Sequence, residues 1–244
     1  MPDLTLNGHK HHFEEAGSGE PLVMLHAALA SSKSLLPHLP AVSRRFRVVL
    51  VDLRGMGQSA RVAAFPADWV ADLTALIERL DLAPADVYGA SLGARIAMKT
   101  ALLRPDLVKR LVLDHPVVAV DPATDAALSA NLSPDAVDER RARYYREQHG
   151  DDWEAVVRTY FASRSNPEFQ TYLDLREASK AISQPTLIMR GDRPDPAHPL
   201  SHAAELAGAI KDSWLWIRPN SPIAALYAGG EEAYELIARF AAET

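Results

Sequence analysis

Cysteine is absent from the 244-residue chain. That one absence removes disulfides, thiol catalysis and cysteine-ligated metals together. No apolar run approaches the ~18 residues that a membrane-spanning helix needs. An excess of basic charge is missing too. Lys plus Arg number 26 against 32 Asp plus Glu, a formal net charge of -6, so the surface is a poor match for a phosphate backbone. Internal repeats and low-complexity tracts are not found, and Met1-Pro2-Asp3-Leu4-Thr5 lacks the basic-then-apolar layout of a secretory leader. What is present, 48% hydrophobic and 24% charged residues, is the balance of an ordinary globular domain. The expectation is a cytoplasmic protein acting on a small molecule, with neither nucleic acid nor membrane as partner.

The first half alternates short apolar runs with longer amphipathic ones, the rhythm of helices packed around a mostly parallel sheet. Residues 4–6 and 10–14 read as opening strands around Asn7-Gly8. Residues 22–25 and 48–51 are continuous apolar runs, as expected of strands buried on both faces. Residues 35–42 read as a weak helix interrupted by Pro37 and Pro40. Trp69, Val70, Leu73, Leu76, Ile77 and Leu80 recur at spacings of 3 and 4 and predict a helix over 66–80. A strand at 87–88, a helix at 92–103 and a strand at 111–113 follow. Between about 116 and 179 the texture changes to charge, Arg and Tyr with helical periodicity near 135–148, 153–162 and 168–178. Strand patterning resumes at 186–189 and 214–217, and a helix over 231–242 closes the chain. The His9, His11 and His12 cluster reads as surface. Trp214 and Trp216 share one strand face and read as core. The arginine-rich run from Arg140 to Arg146 reads as a solvated helix face.

Gly89-Ala90-Ser91-Leu92-Gly93 fits G-x-S-x-G, with an apolar strand before it and a helical run after it. Small residues at both ends allow a sharp turn that lifts the Ser91 hydroxyl above the sheet. The helix that follows points N–H groups and the positive end of its dipole at any anion formed there. With this motif in place the chain resembles the α/β-hydrolase superfamily, and other stretches agree. Residues 16–26 look like the family's approach to its oxyanion loop. Asp52-Leu53-Arg54-Gly55-Met56-Gly57-Gln58-Ser59 is similar to its D-x-R-G-x-G-x-S stretch, 106–113 resembles the segment into the strand before the cap, and 186–192 resembles the strand before its acid loop.

The resemblance implies an α/β fold. A central, mostly parallel sheet of about eight strands would carry flanking helices, with a core of residues 1–118 and 180–244 and a helical cap of 119–179 roofing a pocket. It also implies roles. Ser91 is the nucleophile, and the backbone N–H groups of Leu92 and Ala28 form the oxyanion hole. His26 braces the loop, while Asp52 and Arg54 hold the turn after them. No metal or organic cofactor is called for. The acid falls at Asp195 in preference to Asp192, because Pro194 occupies the usual position.

The resemblance breaks at the base. The family carries Gly-His after the last strand, whereas this chain has Pro222-Ile223, and no histidine follows position 202. A serine hydroxyl is a weak nucleophile without a base. The expectation is therefore an enzyme with a diverged triad in which Ser91 lacks the usual imidazole. It would act on a small carbonyl or acyl compound, as a hydrolase by broad class or as a lyase or cyclase; a ligand-binding pseudoenzyme of the same fold is the alternative. His115, at the end of the strand over 111–113, is the leading substitute base. His198 and His202, four residues apart, carry less weight and read as sharing a helix face.

Overall fold

The computed structural model describes residues 3–244, so Met1 and Pro2, where the expected core and the leader reading begin, lie outside the described residues. Eight strands form one sheet: β1 (Asp3–Leu6), β2 (His9–Ala16), β3 (Glu20–Leu25), β4 (Phe46–Val51), β5 (Ala85–Ala90), β6 (Val108–Asp114), β7 (Thr186–Gly191) and β8 (Ser213–Arg218). Their spatial order is β1-β2-β4-β3-β5-β6-β7-β8. The β1–β2 and β2–β4 pairs are antiparallel, and every pair from β4 to β8 is parallel. The parallel strands are the continuous apolar runs, because helices cover both of their faces. Val23, Met24, Val48, Val49, Leu111 and Leu113 are fully buried.

The helices are α1 (Ser32–Leu35), α2 (Leu39–Val42), α3 (Trp69–Arg79), α4 (Leu92–Leu103), α5 (Pro122–Leu132), α6 (Glu139–His149), α7 (Trp153–Ser163), α8 (Pro167–Leu173), α9 (Leu200–Ala209), α10 (Ala225–Gly229) and α11 (Glu231–Glu243). The helix expected over 35–42 is broken into α1, a 3-10 turn at Leu36–His38 and α2. Pro37 and Pro40 each sit in the first turn of a new segment, where a missing N–H is harmless. The sequence pattern does not single out α5, whose apolar face is dominated by alanine. Between β6 and β7 the chain runs through α5 to α8. Tyr145, Trp153, Val156, Val157, Tyr160 and Phe169 join the main apolar cluster, which also holds Trp69 and Leu73 of α3 and Ile96 and Met98 of α4.

Two expectations are corrected here. His11 and His12 are not surface residues: both are buried, at 2% exposure each. Consecutive side chains on β2 point to opposite faces, and each of these two meets a polar partner, Gln58 Nε2 lying 3.1 Å from His12 Nε2. His11 Nε2 lies 3.3 Å from Asp72 on α3, and His12 Nδ1 lies 3.0 Å from Asp3 on β1. His198 and His202 do not share a helix face either. Pro199 caps α9, which leaves His198 in the preceding loop. The two rings then diverge, His202 Nε2 lying 3.8 Å from Asp121 Oδ2.

Candidate active site

Ser91 sits between β5 and α4 with φ 50° and ψ -104°, a backbone region that costs a non-glycine residue strain and is typical of functional turns. Two glycines make the turn achievable. A Cβ on Gly89 would collide with the backbone of Gly93 and Ala94, and one on Gly93 would lie 2.5 Å from Leu25 O and 2.8 Å from His26 O. Strand, elbow and helix are thus packed backbone to backbone, and the hydroxyl is left only partly buried. At the far side of the elbow, Ser91 N–H donates to Asp114 O at 3.0 Å.

An imidazole other than the usual one lies within reach of Ser91. Ser91 Oγ and His198 Nε2 lie 2.9 Å apart, across 107 residues of sequence. His198 occupies the loop after β7, not the segment after β8, so the absence of a histidine beyond position 202 does not leave Ser91 without one. The substitute expected from the sequence is His115; the imidazole within reach of Ser91 is that of His198 instead. His198 Nδ1 lies 3.5 Å from Asp195 Oδ1. That is ion-pair range, longer than a good hydrogen bond. The same oxygen accepts the N–H groups of Ala197 at 2.8 Å and His198 at 3.0 Å. Asp195 thus shapes the turn that carries the imidazole as well as facing its ring.

The electrostatics follow from that geometry. The facing His198 ring and the two backbone N–H groups outweigh partial burial and hold the Asp195 carboxyl down at about 2. Burial pushes the His198 pKa below its ordinary value. The charges of His115 and Arg95 push the same way, and Asp195 opposes them. A neutral imidazole beside a hydroxyl is the protonation state a general base requires. Asp192 stands apart. Its Oδ1 accepts Ser221 N–H at 3.1 Å, pinning the turn after β8.

His115 does not reach Ser91 as a hydrogen-bond partner. Its ring lies edge-on to that of His198, with centroids 5.2 Å apart, and its Nδ1 is 3.3 Å from Asp114 Oδ1. Asp114 is fully buried and accepts from Tyr88 Oη at 2.9 Å, Ala225 N–H at 2.9 Å and Leu226 N–H at 3.0 Å. Burial acts to raise its pKa, but the neighbouring His115 and the N–H groups of Leu226 and Ala225 win, so the carboxyl stays below its usual value. It anchors the start of α10, next to the segment where Ile223 passes its carbonyl to Gly191 N–H at 3.1 Å.

On the opposite flank the loop after β3 is tied down by buried side chains. His26 Nε2 accepts Leu53 N–H at 3.0 Å, and its Nδ1 lies 2.8 Å from Ala27 O. Asp52 accepts Ser32 N–H and Gln58 N–H at 2.6 Å each. Helix α6 reaches down to the same loop. Gln148 Oε1 accepts Ser31 N–H at 3.0 Å, and His149 bridges Gly57 N–H at 3.0 Å and Leu29 O at 3.2 Å. Neither Ala28 N–H nor Leu92 N–H is taken by another group among the described residues. A pocket of about 380 Å³ opens beside the elbow, with Ala27, Ala90, His115, Tyr144, Gln148 and Ala224 among its walls. It lies at the carboxyl ends of β3, β5 and β6, where open α/β sheets bind ligands.

The α/β hydrolase fold family matches residues 20–169. The chain belongs to that family. It is 34% identical over 115 residues to the (E)-2-((N-methylformamido)methylene)succinate hydrolase of Acinetobacter baylyi, an alignment of 45% of this chain and 42% of that enzyme. This relative is therefore matched over less than half its length. The AB hydrolase superfamily protein YisY of Bacillus subtilis is 27% identical over 93% of both chains. Among solved structures, a meta-cleavage product hydrolase of Pseudomonas fluorescens superposes with a TM-score of 0.83 at 20% identity, covering 100% of this chain and 98% of that one. That likeness is one of fold. The relatives are named as enzymes, and the helices and mostly parallel eight-stranded sheet of this chain are the family's architecture.

Proposed function

We propose that this α/β-hydrolase is a cofactor-independent serine hydrolase of a small acyl compound. Ser91 is the nucleophile, His198 the base and Asp195 the residue that orients it. The observation that carries this reading is the 2.9 Å separation of Ser91 Oγ from His198 Nε2. With Nδ1–H turned toward Asp195, Nε2 is the lone-pair nitrogen and the hydroxyl donates to it.

In this reading Ser91 Oγ attacks the substrate carbonyl carbon as its proton passes to His198 Nε2. The oxygen that becomes negative is met by the N–H groups of Leu92 and Ala28, donors set in place before the charge develops. His26, Asp52, Gln148 and His149 hold the loop that presents Ala28. The imidazolium then returns its proton to the leaving oxygen or nitrogen as the carbonyl re-forms, which leaves an acyl group on Ser91. Water, deprotonated by the same nitrogen, releases the acid and restores the hydroxyl. His115 forms part of the pocket wall in this scheme, and burial keeps His198 easily deprotonated.

A fluorophosphonate probe and a panel of p-nitrophenyl esters test the proposal. Labelling at Ser91, abolished in Ser91→Ala and slowed by ~10³-fold or more in His198→Ala, is the expected result. Labelling of His198→Ala at the wild-type rate would overturn it.

A further inference from the structure

The base of this proposed triad rides on a loop poor in backbone donors. Residues 191–199 include Pro194, Pro196 and Pro199, none of which has an N–H. The first three N–H groups of the loop are spent outward, Gly191 on Ile223 O, Asp192 on Arg218 O and Arg193 on Ser221 O, each at 3.1 Å. The stretch carrying His198 is therefore short of ties to the body of the protein.

Arg190, the penultimate residue of β7, supplies them. Its side chain is 1% exposed, and its Nε donates to His198 O at 3.1 Å while Nη2 donates to the same oxygen. Nη1 donates to Gly191 O and, at 3.3 Å, to Arg193 O. One guanidinium thus gathers three carbonyls of a single loop, with two prongs on the residue whose ring meets Ser91. No carboxylate lies within 4 Å of it as an ion-pair partner among the described residues. A buried cation is costly to desolvate, and burial does push the Arg190 pKa down, with Asp195 and Asp192 opposing.

We propose that Arg190 is the positioning residue that holds His198 at hydrogen-bonding distance from Ser91. The inference rests on the reading of His198 as the base. The fork is the essential feature, because a lysine ammonium is a single donor centre and cannot span carbonyls set on both sides of a planar group. A misplacement of about 1 Å at a reacting pair is worth ~10²-fold in rate, which sets the scale of the effect.

The test compares Arg190→Met, Arg190→Lys and Arg190→Ala in the full chain, below the thermal transition of each. The readouts are the fluorophosphonate labelling rate and the kcat and KM for p-nitrophenyl acetate. Arg190→Met is expected to lower the labelling rate and kcat by roughly 10- to 100-fold with KM within about twofold. Arg190→Lys should lose at least about fivefold, and millimolar guanidinium should restore part of the Arg190→Ala rate by refilling the cavity. A role in stability alone would lower the melting temperature and leave these rates and the rescue unmoved. Folded Arg190→Met labelled within twofold of wild type would overturn the inference. If that variant does not fold, a wild-type rate in Arg190→Lys would do so. His198→Gln separates the two levels. If it labels normally, the base reading itself fails; if it is slow while the Arg190 variants are normal, only the role of Arg190 fails.

Discussion

Asp195 and His198 stand three residues apart on one loop, and a single carboxylate oxygen of Asp195 lies 3.0 Å from the His198 N–H and 3.5 Å from its ring Nδ1. The carboxylate and the imidazole are thus one local unit, and their spacing is set by a turn instead of by the meeting of two loops. Asp195→Asn keeps an oxygen for the backbone N–H groups but loses the charge that faces the ring. The expected outcome is a fall in kcat of ~10²- to 10⁴-fold with little change in melting temperature. Steady-state kinetics with circular-dichroism melting checks both halves.

The pH profile follows from the sign of the His198 shift. The base works when neutral, so activity is present above its pKa and lost as pH falls through it. Burial, with His115 and Arg95, places that pKa below the ordinary 6.5 despite Asp195. The acid limb of kcat/KM should therefore have its midpoint below pH 6.5, measured between pH 4 and 8. A midpoint above 7 would contradict the assignment.

The elbow makes a prediction about stability. At Gly89 and Gly93 an added methyl meets main chain, which cannot swing aside as a side chain can. Gly89→Ala or Gly93→Ala should cost about 3 kcal/mol or more in urea unfolding. Whatever folded protein remains should label slowly, since the same shift moves Ser91.

His149 links α6 to the loops beneath it while buried and neutral, with its pKa pushed down by burial to about 4. The unfolded chain binds that proton near pH 6.5, so this stabilisation is complete above 6.5 and is lost as pH falls toward 4. The span corresponds to about 3 kcal/mol. In urea titrations at pH 7 and pH 4, the stability gap between wild type and His149→Gln should narrow by about that amount.

Much of the scaffold could be read locally. Helix α4 begins and ends where the pattern places it, at Leu92–Leu103. The strands around Val23, Val49, Val87 and Leu111 announce themselves because burial on both faces demands unbroken apolar residues. The serine at the elbow is legible for a similar reason, since strand, glycine, serine, glycine and helix are all neighbours in sequence. His198 was not legible as the neighbour of Ser91. Its partner is 107 residues away, and nothing in the loop's own composition says which way the ring points. A faint signal was present in Asp195-Pro196-Ala197-His198, where an aspartate three residues before a histidine can cap the turn that bears it.

The sequence by itself determined the alternation of strand and helix, the sharp turn at Ser91 and the lack of any histidine after position 202. Those depend on residue type and short-range spacing, which backbone sterics and side-chain burial convert directly into local structure. Only the tertiary structure decided which imidazole meets the hydroxyl, that Asp114 anchors Ala225 and Leu226, and that Arg190 turns inward onto the His198 carbonyl. Each of these relations joins side chains to groups on other strands or loops. The packing of the sheet, and not the order of residues, brings them within a few ångströms.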